Sequence, residues 1–275
     1  MPILSTATGS FFAGRRPSST TTLWDPSTDI TATLWLDASD TTSYTLNGLG
    51  GITAVTDKAG NFTVSVDGTP TRVSNNLNSL NVWDFNGSES LVTNSGSWAS
   101  SGNHWAIGVF QWHSTDSTKD SFWSADGSKT YAVSSSRDDN AWDGEIDYDG
   151  SNSISTGKAK NDFTASINSS TWTIVSIVFN KTGNQIFGRL NGTLRTDVDT
   201  YNSSMNTNAD DVRMMRNRSN QKLDGRMAEY FHVAGAPGTG GTDITDVEKA
   251  EGYIAHKWGL ASNLPVSHPY KSSAP

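Results

Sequence analysis

Thr171–Asn180 reads T-W-T-I-V-S-I-V-F-N, and its alternation decides the fold. Trp172, Ile174 and Val178 fall on one side of an extended chain, while Val175, Ile177 and Phe179 fall on the other. Apolar residues on both sides mean an inner strand covered above and below, since a half-solvated strand alternates apolar with polar. Downstream, Gln185–Leu190 runs into Asn191-Gly192, a dipeptide that tolerates positive φ and so signals a two-residue hairpin turn.

Working outward, strand-like runs recur at Thr33–Asp37 (TLWLD), Leu80–Phe85 (LNVWDF), Trp105–Trp112 (WAIGVFQW) and Gly225–Val233 (GRMAEYFHV). One helix follows them. Thr245 with Glu248 three residues on forms a capping-box pattern, Val247, Ala250, Ile254 and Trp258 share one face, and Gly259 supplies the stop. Ten Trp, ten Phe and seven Tyr among 275 residues are too many for a disordered chain. Set among Ser, Thr, Asn and Gly turn formers, they describe a single all-β sandwich that fills residues 31–275. Residues 1–30 lack strand or helix periodicity and read as an extended arm with apolar anchors at Phe11, Phe12, Leu23 and Trp24. Such anchors favour docking on a partner surface.

Several function classes fall away. A net charge of −8 opposes nucleic acid, which needs a clustered basic face. The cluster Arg213–Arg218 is interleaved with Met214, Met215 and Asn217 and reads as a strand edge with solvated arginines. With no cysteine there is neither disulfide nor thiolate zinc site, and the five histidines form no H-x-x-x-H pair. No apolar run approaches the roughly 18 residues of a membrane helix, and no basic region followed by an apolar one marks a signal peptide.

Certain phrases resemble the laminin-G-like branch of the concanavalin A-like lectin/glucanase superfamily. They are Trp83–Val92 (WDFNGSESLV), Thr171–Leu194 with its Asn-Gly turn, Gly225–Val233, and the tail Thr242–Lys271, which ends in H-P-Y-K. The tail is similar to the closing helix of such domains in phage and bacterial structural or adhesion proteins. Over residues 33–271 the resemblance implies a two-sheet antiparallel jelly roll used for carbohydrate or protein binding, though fold alone does not settle function.

Within that resemblance Trp142–Gly150 (WDGEIDYDG) is similar to the E-x-D-x-E strand of laminarinase-type glycoside hydrolases. By position Glu145 would be the nucleophile, Asp147 would lie between, and Asp149 would take the acid/base place. Asp149 departs from the family's Glu, and Gly150-Ser151 after it signals a turn. A retaining pair needs carboxyls about 5–5.5 Å apart, whereas residues i and i+4 of a regular strand lie ~13 Å apart. The expectation is therefore an exposed edge strand with no hydrolysis. Asp147 and Asp149 are also the candidate ligands of a Ca²⁺ ion, which takes several oxygen ligands and would need a loop to complete the set. For sugar stacking the candidates are Trp98, Trp105, Trp112 and Trp123, against the alternative that sandwich aromatics form core.

The sequence thus leads to a non-enzymatic phage virion component, a capsid decoration, head fibre or tail fibre/adhesin made in the host cytoplasm. Its arm would hold sister chains or other virion proteins, and a cell-surface glycan is a candidate ligand. The alternative is a free carbohydrate-binding, lectin-like module, with a laminarinase-type hydrolase behind it.

Overall fold

The computed structural model describes residues 24–95, 103–113, 120–126, 132–138, 141–147, 158–166, 170–180, 185–194, 199–200, 211–216, 222–238 and 243–275. A short helix α1 (Pro26–Asp29) leads into β1 (Leu34–Asp37), β2 (Tyr44–Leu46), β3 (Ile52–Thr56), β4 (Thr63–Asp67), β5 (Thr71–Leu77) and β6 (Leu80–Asn86). Next come β7 (Ser90–Thr93), β8 (His104–Trp112), β9 (Asp120–Asp126), β10 (Ala132–Asp138), β11 (Ala141–Asp147) and β12 (Lys158–Ser166). The last third carries β13 (Thr173–Asn180), β14 (Gln185–Leu190), β15 (Thr193–Leu194), β16 (Asp199–Thr200), β17 (Asp211–Met214), β18 (Asp224–Ala234) and helix α2 (Thr245–Lys257).

These strands make two antiparallel sheets. The first runs β15-β14-β13-β8-β18-β6-β5, with β1 also on β18 and β16 on β14. The second runs β12-β11-β10-β9-β17-β7-β4-β3-β2. The result is an all-β, two-sheet sandwich of the jelly-roll, concanavalin A-like kind with one C-terminal helix.

Two apolar clusters hold it together, and β13 belongs to both. Val175, Ile177 and Phe179 enter the core between the sheets with Trp83, Phe85, Phe110, Trp112, Trp123 and Tyr230. Ile174 and Val178 point to the outer face of the first sheet, where α2 lays Val247, Ala250, Ile254 and Trp258, each fully buried, over Trp105, Ile107 and Val109. Asn191 (φ 50°) and Gly192 (φ 75°) form the expected turn, with Leu190 opposite Thr193.

Both ends of α2 are fixed by identifiable bonds. Gly259 sits at φ 71°, its N–H donates to His256 O (3.4 Å), and Leu260 N–H reaches Ala255 O (2.7 Å). This pattern ends a helix through a left-handed residue. The start differs from the capping box. Thr245 is already inside the helix, Ile244 holds the cap position without a side-chain bond, and Asp243 before it accepts from Thr245 N at 2.9 Å and Oγ1 at 2.6 Å.

Three placements correct the sequence reading. Arg213 is not on a free edge: β17 lies between β7 and β9, and Met214 and Met215 are fully buried. Glu145 and Asp147 lie on β11, which pairs with both β10 and β12, so that strand is interior as well. Trp24 is 8 % exposed and packs its ring on Phe231 and Tyr253, at centroid distances of 6.3 and 5.2 Å. An anchor expected to seek a partner docks on its own domain, because α2 leaves an apolar step there for the ring to cover. Packing on the sandwich therefore already includes residue 24, ahead of residue 31.

Candidate functional site

Most of the tryptophans proposed for sugar stacking serve the core. Trp105, Trp112 and Trp123 are 1, 2 and 2 % exposed and present no face to solvent. Trp112 and Trp123 fill the core between the sheets and Trp105 the cluster under α2, and large rings gain most by filling such space. Trp98, Asp149, Phe11, Phe12 and Leu23 lie outside the described residues. Glu145 and Asp147 take the register opposite Lys160 and Lys158 of β12. Among the described residues no three His, Cys, Asp or Glu side chains come together to hold a metal.

A different constellation stands on the outer face of the first sheet, on the part that α2 leaves open. Trp83 and Phe85 of β6 face the inner core and Val82 the outer cluster, so Asp84 projects outward. By the same alternation Gln111 projects from β8 and Arg226 from β18, and cross-strand register sets Thr71, Asp84, Arg226 and Gln111 side by side. Arg226 Nε donates to Asp84 Oδ1 (2.6 Å) and Arg226 Nη1 to Gln111 Oε1 (3.3 Å). Gln111 Nε2 in turn donates to Ser170 O (2.9 Å). At the end of β8, His113 Nδ1 meets Asp224 Oδ1 at 3.1 Å, and its Nε2 is 4.0 Å from Asp84. Asp84 and Arg226 are each about a quarter exposed, at 25 and 26 % of the side chain.

Trp172 closes this row. Thr173 pairs with Phe110, so continuing the antiparallel register sets Trp172 beside Gln111. Among the tryptophans whose side chains are described it is the one that is not buried. Sequence reasoning placed Trp172 correctly on a face of the inner strand but did not select it. Asp84, Gln111 and Arg226 sit on three strands far apart in the chain, and only their pairing brings them together.

What positions the row is the anchoring of α2 beside it. Between Met227 and Glu229 the register with β8 slips, so that Met227 faces Phe110 and Glu229 faces Val109. A bulge adds one residue and re-aims the side chain after it. Glu229 thereby turns from the inner core to the outer face. Fully buried there, it accepts from Trp35 Nε1 (2.8 Å), Trp258 Nε1 (2.7 Å), Tyr253 OH (3.1 Å) and Lys257 Nζ (2.8 Å). Lys257 also reaches Asp37 Oδ2 (2.9 Å), which Lys58 holds at 3.0 Å. Burial pushes the Glu229 carboxyl up, with Lys257 opposing. At Asp37 the attraction of Lys257 and the bond from Ser39 outweigh burial and bring the carboxyl below its ordinary value.

A second anchor joins the tail. Glu251, fully buried on α2, receives Arg189 Nε (2.8 Å) and Nη2 (3.0 Å), Ser176 Oγ (2.9 Å) and His268 Nε2 (3.1 Å). Tyr270 N–H donates to His268 Nδ1 (3.2 Å), so that nitrogen is the acceptor and Nε2 carries the proton. Lys271 Nζ donates to the carbonyls of Ala261, Ser262 and Leu264 at 2.9, 2.7 and 2.7 Å. The H-P-Y-K phrase is thus the clasp that closes the fold.

A cavity of about 310 Å³ opens among Trp24, Tyr253, His256, Lys257, Ala274 and Pro275. Its polar groups are engaged elsewhere: Tyr253 OH and Lys257 Nζ on Glu229, and His256 Nε2 on Tyr270 O. The exposed row, by contrast, keeps hydrogen-bonding capacity and is the candidate ligand surface.

The class that the fold defines is the jelly-roll sandwich shared by lectins, toxin binding domains and glycosidase-associated domains. Domain 4 of the extracellular arabinanase AbnA of Geobacillus stearothermophilus, solved with arabinotriose, is similar at a TM-score of 0.56 and 13% identity over 78% of this chain and 97% of that one. Botulinum neurotoxin type C, whose cell entry depends on interaction with two ganglioside molecules, is similar at 0.55 and 13% over 80% of this chain and 51% of that one. The binding domain of Paraclostridial Mosquitocidal Protein 1 is similar at 0.51 and 13%, over 76% and 52%. The match spans about half the length of these toxin chains. No family model and no curated protein matches the sequence.

Proposed function

We propose that the protein is a non-enzymatic glycan-binding module that holds its ligand on the row Thr71–Asp84–Arg226–Gln111, against Trp172. The observation that carries this reading is the partly exposed Trp172, set by register beside Gln111 at the end of a line of fixed polar groups. An aromatic face suits the apolar side of a sugar ring, and oriented carboxylate, guanidinium and amide groups suit its hydroxyls. Solved sandwiches of this fold with arabinotriose or ganglioside partners support the same direction. The test is binding to an oligosaccharide panel, followed by Trp172→Ala. Loss of about tenfold or more in affinity is expected of a central aromatic contact. Binding by neither protein, or equal binding by both, refutes the assignment. Incubation with laminarin should release no reducing sugar; release that Glu145→Gln abolishes would instead establish the hydrolase.

A virion setting for this module is a proposal resting on the sequence of residues 1–23, with Phe11, Phe12 and Leu23 as candidate apolar anchors. The tail phrase adds nothing to it, because each of its contacts closes the fold. Removing residues 1–23 should leave a folded sandwich that no longer incorporates into particles or joins sister chains. Normal incorporation would move the attachment surface to the sandwich.

A further inference from the structure

We infer that the row selects neutral over acidic glycans, reading two adjacent hydroxyls with Arg226 Nη2 as donor and Asp84 Oδ2 as acceptor. The inference rests on the glycan-binding reading and adds the ligand's chemical class.

Arg226 is the one arginine or lysine of the row, and it is already committed. Its Nε is 2.6 Å from Asp84 Oδ1 and its Nη1 is 3.3 Å from Gln111 Oε1. This geometry fixes the guanidinium plane and leaves Nη2 and Asp84 Oδ2 without a partner among the described residues. A free donor and a free acceptor on one clamped pair match two neighbouring hydroxyls, one accepting and the other donating.

A carboxylate fits the same place badly. To pair with Arg226 it would displace Asp84 or lie against it, and a second carboxylate, Asp224, stands at the same end beside His113. The row thus sets two carboxylates, Asp84 and Asp224, around the single guanidinium of Arg226. The chain's net charge of −8 adds a repulsive field. Like charges at a binding surface reject a ligand as effectively as good contacts select one. Gln111, neutral and tied to Ser170 O, extends the surface towards Trp172 without altering that balance.

The experiment compares neutral oligosaccharides with sialylated or uronate-bearing versions of the same cores, using the wild type, Asp84→Ala, Gln111→Ala and the double variant Asp84→Asn/Asp224→Asn. All the altered side chains are partly exposed, and melting curves establish that each variant is folded. The wild type should bind neutral members and leave acidic ones, and Asp84→Ala and Gln111→Ala should each weaken neutral binding about tenfold. The double variant should gain acidic ligands, because it frees Arg226 and removes both repelling charges. Wild-type preference for acidic glycans overturns the inference, as does a double variant that still excludes them. Glycan binding indifferent to Asp84 and Gln111 leaves the glycan-binding reading intact and overturns this site. Absence of binding to every neutral and acidic member refutes the glycan-binding reading itself.

Discussion

Glu251→Gln isolates the anchor that fastens α2 and the tail to the first sheet. The carboxylate is fully buried, receives two guanidinium nitrogens of Arg189, and also receives Ser176 and His268. An amide of the same shape keeps one acceptor but strands the Arg189 charge, whose side chain is 7 % exposed. Breaking a buried pair from one side costs about 3–5 kcal/mol. Glu248, 3.6 Å from Arg189 and partly exposed, offsets some of the lost charge, so the lower end, about 3 kcal/mol, is expected. For a domain of this size that lowers the melting temperature by roughly 6–12 °C. Burial alone would raise the Glu251 carboxyl, but the His268 bond and the Arg189 charge outweigh it and hold the folded value below 4.5. A depressed carboxyl stabilises fully above its unfolded value, and the contribution fades as pH falls through the folded value. The gap between wild type and variant should therefore be full near neutrality and close progressively below pH 4.5. Replacing both partners, Arg189→Met with Glu251→Leu, should recover most of the loss, since neither charge is then left alone. Denaturation within about 1 kcal/mol of wild type for Glu251→Gln, or a double variant no better than the single, would refute the reasoning.

Removing residues 1–23 should leave the melting temperature unchanged, while Trp24→Ala should cost about 3 kcal/mol through the emptied contact on Phe231 and Tyr253; scanning calorimetry on both separates the docked ring from the segment before it. Gly252→Ala should destabilise by about 1–3 kcal/mol, because a Cβ there would meet Tyr270 Cβ at 2.4 Å and lift the tail; chemical denaturation checks it, and a neutral effect would mean the tail shifts freely. Lys271→Met should cost about 2 kcal/mol by leaving three carbonyls uncapped, read as a lower denaturation midpoint. Excess chelator should lower the melting temperature if Asp147 and Asp149 hold Ca²⁺, since a ion bound only by the folded chain stabilises it; an unchanged curve removes that site.

The fold was legible wherever a local pattern carries the whole message. The two-faced alternation of Thr173–Asn180, the Asn191-Gly192 turn and the one-sided stripe of α2 each encode burial within a dozen residues, and each is realised. Sheet neighbours are another matter. Arg213–Arg218 and Trp142–Gly150 look like edges because charged and small polar residues dominate them. An interior strand flanked by hydrogen-bonded neighbours can still carry polar residues on a solvated face, and polarity alone does not report which strand lies alongside. Trp24 misled for a related reason. Its apolar character was plain, but its receptor, made by Phe231 and Tyr253, lies more than two hundred residues away.

The row was hidden by a third kind of distance. Asp84, Gln111 and Arg226 are each unremarkable polar residues on otherwise apolar strands, and a single polar residue near a strand end usually marks where solvent begins. Their meaning comes from register, which joins three strands at one level of the sheet. The slip at Met227–Glu229 then divides that face. Beyond the slip, Glu229 turns outward and draws Trp35, Trp258, Tyr253 and Lys257 over the sheet, making it dry. Before it, Arg226 stays level with Asp84 and Gln111 and remains wet. Side-chain alternation on either side of the slip thus sets where the helix-covered core stops and where the ligand surface begins. Deleting Ala228 should accordingly remove the bulge and keep the layout: Met227 stays inward, Glu229 outward opposite Val109 and Tyr230 inward, so α2 keeps its buried acceptor and the row its register. The expected cost is about 1 kcal/mol, read by chemical denaturation. A deletion variant that loses the packing of α2 would refute the view that side-chain alternation sets this face.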